Sequence, residues 1–126
     1  MEWRQCVTAP SKKFRGKYFI FVDGDDQLAP SFVEMLVKGL EENPDVDIAS
    51  VGFSWGASGV PKKANEVRFR RVDRAAMFEG VTHRGHVISG MVWNKAYRSA
   101  TLLNSRVCFD ESLELAEDHL WIAQLV

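Results

Sequence analysis

Gly16-Lys17-Tyr18-Phe19-Ile20-Phe21-Val22-Asp23-Gly24-Asp25-Asp26-Gln27-Leu28-Ala29-Pro30 is the stretch from which the fold is read. Tyr18 to Val22 is a continuous apolar, β-prone run bounded by Gly16 and by Asp23-Gly24. Such a run suits a central strand buried on both faces, as in a parallel sheet. Pro30 suits a first helical position, where its missing N–H costs nothing. Phe32, Val33, Leu36, Val37 and Leu40 follow at helical spacing and form one apolar stripe. Asn43-Pro44 stops that helix, and Val46 to Phe53 reads as a second strand. Strand, helix, strand is a βαβ unit, so the fold class is α/β.

Further along, Gly56 to Asn65 is loop, rich in Gly, Ser, Ala and Pro. Val67 to Val72 partly alternates and predicts a half-exposed strand. Asp73 can cap a short helix through Phe78. Gly80 to Gly90 reads as irregular, Met91 to Tyr97 as another strand, and Ser99 to Leu103 as a short helix. Glu117 to Val126 reads as the opening turns of an apolar helix with no closing signal. The expectation is a piece of a larger protein. Its parts would be an ill-defined segment 1–15, a strand-helix-strand segment 16–53 and a remainder 54–126.

The chain has 126 residues, 46% of them hydrophobic, which suits one domain with a real core. An aromatic content of 11% argues against disorder. Sixteen Lys+Arg face 17 Asp+Glu, and this near-balance argues against a dedicated nucleic-acid binder. No apolar run is long enough to span a bilayer, and Met1 to Cys6 lacks the apolar core of a signal peptide. Cys6 and Cys108 form no metal-ligand or disulfide pattern, so they read as reduced thiols in a cytoplasmic protein.

Asp23-Gly24-Asp25-Asp26 carries the chemistry. Three carboxylates in four residues repel one another, and something positive should compensate. Oxygen-only ligands select hard cations such as Mg²⁺ or Mn²⁺. In open α/β sheets ligands bind at the carboxyl ends of strands, where this cluster sits. Gly24 lets the backbone turn tightly or approach a ligand closely. A solvated Asp-Gly turn is the plain alternative. A calcium loop fits poorly, because Leu28 stands where that loop requires Gly and a strand precedes it. An Asp-nucleophile phosphatase of the haloacid-dehalogenase type would use Asp23 to form an aspartyl-phosphate. Gln27 departs from the Thr or Val usual there. The third class is nucleotide-sugar transferases.

The chain resembles a family-two glycosyltransferase of the GT-A fold. Gly16 to Pro30 is similar to that family's strand, Asp-x-Asp-Asp turn and Pro-started helix. Val92-Trp93-Asn94-Lys95-Ala96-Tyr97-Arg98 resembles its aromatic-x-Lys-x-Tyr-Arg strand. Phe109-Asp110-Glu111-Ser112-Leu113 followed by Glu117-Asp118 resembles its Glu-Asp motif. Three motifs in order are far more specific than Asp-x-Asp alone. The family's first strands, which hold the base and ribose of the donor, have no counterpart here. The resemblance therefore implies a partial GT-A fold with a mixed sheet, its N-terminal strands missing and an edge exposed at Tyr18 to Val22. Gly24 stands where the family more often has Ser.

The resemblance also implies inverting transfer of a sugar from a nucleoside-diphosphate-sugar to a hydroxyl of a saccharide or lipid-linked acceptor, in cell-envelope polysaccharide synthesis. Mn²⁺ or Mg²⁺ would neutralise the diphosphate, held by Asp25 with Asp26. Asp23 would contact the ribose or a metal-bound water. Asp118 would be the general base, and Glu117 would orient it or the acceptor. Taken alone, Glu117-Asp118 reads as first-turn acids favoured by the helix dipole. Trp93 would stack on a sugar face and Lys95 approach a diphosphate; a buried strand aromatic and a solvated cation are equally good readings. His83 and His86 form H-x-x-H in a loop, and His119 neighbours the expected base. They read better as surface residues than as ligands. Arg68, Arg70, Arg71 and Arg74 form a basic patch that reads as a solvated strand edge more readily than as an anionic acceptor or lipid-headgroup site. Further expectations are no nucleic-acid partner, peripheral association with the inner face of the membrane, self-association through the open sheet edge, and little or no activity of this chain alone.

Overall fold

The computed structural model describes residues 15–53, 69–83, 88–105 and 122–125. Strand β1 is Tyr18–Ile20, helix α1 Phe32–Glu41, strand β2 Ile48–Ser50, helix α2 Arg74–Thr82, strand β3 Lys95–Arg98 and helix α3 Ser99–Ser105. Residues 122–125 are also helical.

The three strands form one sheet in the order β1-β3-β2. Both pairings are antiparallel, with Tyr18 opposite Arg98, Ile20 opposite Ala96, Ile48 opposite Tyr97 and Ser50 opposite Lys95. Strands β1 and β2 therefore run parallel to each other, as a βαβ unit requires, but β3 lies between them. This corrects the expectation of a central β1 buried on both faces: β1 is an edge of the described sheet and is only half-buried. The open edge at β1 is as expected among the described residues. Apolarity here comes from a residue-by-residue split between two covered faces.

Phe19, Phe21, Ile48 and Tyr97 pack on one face with Val81, Val92, Leu102 and Ile122. Tyr18, Ile20, Ala49, Val51 and Ala96 pack on the other with Leu36 and Leu40 of α1. Successive strand side chains point to opposite faces, which explains the division. Helix α1 thus covers one face, while α2, α3 and residues 122–125 supply the other.

Pro30 lies just before α1 rather than inside it, since the helix starts at Phe32 after a Phe32 N–H to Ala29 carbonyl bond of 3.0 Å. Asn43 ends α1 as expected, donating from Nδ2 to the Gly39 carbonyl at 2.8 Å. Asp73 caps α2, its carboxylate accepting from Ala76 N–H at 2.8 Å. That helix runs on to Thr82, so Gly80 is helical and buried rather than irregular. The expected strand over Val67 to Val72 is not formed at 69–72, and Val67 and Arg68 lie outside the described residues. Side-chain anchors hold this stretch instead of a ladder: a Cβ on Gly39 would come 3.0 Å from the Phe69 ring, and Arg71 pairs with Asp45. Strands β2 and β3 are shorter than expected, and Met91 to Asn94 turn rather than extend. The loop Gly56 to Asn65, both cysteines and the opening of the last helix lie outside the described residues.

Arg98 locks the end of the sheet where β1 begins and β3 ends. Its guanidinium donates to the carbonyls of Val46 at 2.5 Å, Leu40 at 2.5 Å and Asn43 at 2.9 Å. Leu40 belongs to the last turn of α1, where helix carbonyls lack internal partners. Its guanidinium also lies 5.7 Å from the Tyr18 ring centroid. The Tyr18 hydroxyl donates to Glu41 at 2.6 Å and Lys17 to the same oxygen at 2.9 Å. These two bonds, the tyrosine's first, hold the Glu41 carboxyl below its ordinary range. We predict that Arg98→Ala lowers stability by about 2–3 kcal/mol, because three carbonyls lose a charged donor. Arg98→Lys should recover only part, because a point charge cannot reproduce the fork. Urea unfolding followed by circular dichroism measures both.

Candidate functional site

At the opposite end of the sheet, β1 and β2 end where β3 begins. The register puts Ile20 opposite Ala96, and the Val51 N–H donates to the Asn94 carbonyl at 3.0 Å. The segment after β1 (Phe21 to Asp26), the segment after β2 (Val51 to Phe53) and the loop 88–94 therefore share one end of the sheet.

Asp23 to Asp26 form a tight turn closed by Asp26 N–H to the Asp23 carbonyl at 3.1 Å. All three carboxylates are exposed. Asp26 is held above the ordinary aspartate range, first by partial desolvation, then by repulsion from Asp23 and Asp25. Gly24 is not in the left-handed region, and a Cβ there would meet nothing within 4 Å. The turn therefore does not need glycine, contrary to the reading that Gly24 permits a tight turn, and a Ser at this position fits.

No three His, Cys, Asp or Glu side chains among the described residues are arranged to hold a metal ion by themselves. A Mg²⁺-type ion bound through one or two carboxylates plus substrate phosphates would not require that. Asp25 and Asp26 fit such a donor set: hard, oxygen-only, exposed to solvent and short of positive charge.

The loop 88–94 is built around Lys95. This side chain is fully buried, and its ammonium donates to the carbonyls of Ile88 at 2.6 Å, Ser89 at 2.7 Å and Met91 at 2.7 Å, and to Asn94 Oδ1 at 2.8 Å. Lys95 is thus not a solvated cation, because burying an ammonium demands these oxygens. Asn94 Nδ2 in turn donates to the Val51 carbonyl at 2.8 Å, joining the loop to β2. Ser89 takes a positive φ of 63°, and its hydroxyl accepts from the Met91 N–H at 3.1 Å. Trp93 is half-buried, edge-to-face with Phe53 at 4.8 Å between centroids.

The structure brings Asp23, Asp25, Asp26, Trp93 and Lys95 to one end of the sheet. Glu117, Asp118, His119, His86 and Arg68 lie outside the described residues. His83 caps α2, with Nδ1 2.9 Å from the Glu79 carbonyl oxygen. Arg70, Arg71 and Arg74 are exposed, and Arg71 is spent on Asp45. Sequence reasoning passed over Asn94, Ser89 and Phe53. The adjacent Asn94-Lys95 pair inside an apolar stretch was the available signal, since buried polar groups need partners.

Residues 11–98 match the family described as Glycosyl transferase family 2. The chain belongs to that family. Membership sets aside the Asp-nucleophile phosphatase, and it implies the GT-A fold. The chain is also 30% identical over 112 residues to "Uncharacterized glycosyltransferase EpsJ" of Bacillus subtilis (strain 168), covering 85% of this chain. It spans only about a third (32%) of that relative's length. No solved structure matches significantly. The family match stops at Arg98, short of Glu117 and Asp118. Among the described residues no helix is long and apolar enough to cross a membrane.

Two outcomes are expected here. Gly24→Ser should change stability by no more than about 0.5 kcal/mol, read by thermal unfolding. Because Asp26 is raised in the fold, its protonated form is favoured there. That contribution is complete below the unfolded aspartate pKa and lost as pH rises through the folded value. Asp25→Asn removes one repulsive neighbour, so the Asp26 midpoint should fall, as followed by carboxyl NMR titration.

Proposed function

We propose that this chain is part of an inverting glycosyltransferase that moves a sugar from a nucleoside-diphosphate-sugar to an acceptor hydroxyl. Family membership and the acidic turn at the carboxyl end of β1, at the same end of the sheet as the loop 88–94, support this reading. Asp25 and Asp26 would hold Mn²⁺ or Mg²⁺. When bound, the cation supplies Lewis-acid stabilisation of the departing nucleoside diphosphate. Asp23, at the start of the turn, would accept a hydrogen bond from the donor ribose. Asp118 would take the proton of the acceptor hydroxyl on a carboxylate oxygen, and Glu117 would orient the acceptor or Asp118. The half-buried Trp93 would offer its ring to a sugar face.

The acceptor would be a saccharide or lipid-linked saccharide of a cell-envelope polysaccharide, met in the cytoplasm at the inner face of the membrane. The outer edge of β1 would serve self-association. Donor recognition needs elements beyond this turn, so the chain by itself would be inactive or nearly so.

Calorimetry with Mn²⁺ and a panel of nucleoside diphosphates tests the site. Asp25→Asn and Asp26→Asn should each weaken binding by at least about tenfold, the scale on which lost metal-site support is felt. An intact fold that binds neither ion nor nucleotide would identify a non-catalytic remnant instead. Donor hydrolysis with Mn²⁺ should be far below that of a full-length family member; equal turnover would overturn the inactivity.

A further inference from the structure

We infer that Lys95 is a positioning residue: its buried ammonium folds the loop 88–94 and so fixes Trp93 at the end of the sheet that carries the acidic turn, and it does not touch substrate. The functional half of this inference rests on the reading given under Proposed function. The structural half rests on the oxygens that converge on Nζ. Four lie within 2.6–2.8 Å, three of them backbone carbonyls from a single loop. Carbonyls aimed inward at one point repel one another unless a cation sits among them. A peptide segment therefore adopts this shape only around a charge, and the charge is covalently supplied by the strand that follows.

The neighbours of the cage show what it positions. Ile88 and Asn94 bracket the loop, and Asn94 Nδ2 ties it to the Val51 carbonyl at the end of β2. The Ser50 hydroxyl reaches the Ile88 carbonyl at 3.4 Å. Tyr97 hydroxyl donates to the Val92 carbonyl at 3.3 Å, holding the residue next to Trp93. Ser89 stays at a positive φ, a conformation disfavoured for a residue with a Cβ and sustained here by its surroundings. Every one of these restraints acts on the segment that carries Trp93, and that segment ends at the Asn94-Val51 bond, at the same end of the sheet as the acidic turn that follows β1. Remove the ammonium and the carbonyls must seek water, which means the loop opens.

The test uses the labelled chain in solution by NMR. The Lys95 ammonium, assigned by its disappearance in Lys95→Arg, should exchange its protons with water at least about tenfold more slowly than the other lysines, as a buried group must. Exchange as fast as theirs would overturn the cage. Lys95→Ala removes the atoms of one n-propylammonium ion. In that variant the amides of residues 88–94 should lose roughly tenfold or more of their hydrogen-exchange protection while those of β1 and β3 keep theirs, and n-propylammonium should restore it. Unchanged loop protection in the folded variant would overturn the inference. If Lys95→Ala does not fold, its refolding by n-propylammonium and not by NaCl supports the cage, and refolding by neither overturns it.

Mn²⁺ then reads the functional half. In the wild type it should broaden residues 23–26 and the Trp93 indole N–H together. In Lys95→Ala it should broaden only 23–26, until n-propylammonium is added. Broadening of 23–26 without Trp93 in the wild type overturns the positioning role. No broadening at 23–26 defeats the metal reading and with it the functional half, while ammonium exchange still decides the cage.

Discussion

Strand β3 is the constraint on which the rest depends. Four residues, Lys95 to Arg98, pair with both other strands and send consecutive side chains to different tasks. Ala96 presents a small surface to α1, where Leu36 and Leu40 are fully buried. Tyr97 fills the opposite face between Phe21 and Leu102, its ring edge-on to Phe21 at 6.0 Å. Lys95 organises the loop before the strand, and Arg98 holds the carbonyls that follow α1. Both cations act on backbone oxygens rather than on carboxylates in these contacts. They fasten irregular backbone that a sheet ladder cannot reach, and do so at the two ends of one short strand.

This arrangement separates stability from chemistry. The end of the sheet near Tyr18 and Arg98 is closed by charge-assisted bonds, from Lys17 and Tyr18 to the Glu41 carboxylate and from Arg98 to the Leu40 carbonyl. The other end carries three exposed carboxylates on one turn, and Asp26 is held above the ordinary aspartate range first by desolvation and then by repulsion from Asp23 and Asp25. A hard cation bound there would relieve that repulsion as well as form bonds.

The βαβ rhythm was legible because α1 has a clean apolar stripe and Asn43-Pro44 marks its end. The cap at Asp73 was legible because its chemistry is local. What could not be read was pairing. Tyr18 to Val22 looks like a fully buried strand because four of its five apolar residues, Tyr18 to Phe21, feed two different cores, one on each face, even at a sheet edge. Met91 to Trp93 looks like strand because its side chains are apolar, but the backbone of this loop answers to Lys95. The acidic turn was found from charge alone, and its position at the sheet's carboxyl end followed from the strand before it. For Lys95 the sequence reveals a cation and not the oxygens that surround it.

The register between Tyr18 and Arg98 joins residues 80 positions apart in the chain. The middle strand of the sheet is thus the last of the three to leave the ribosome. Until it arrives, β1 and β2 have nothing between them, although helix α1 is already complete. Closing so long a loop is entropically costly and slow. While the residues between Ser50 and Lys95 are made, the nascent polypeptide must carry the strand edges that β3 will pair, an interval in which holdase chaperones would find them open.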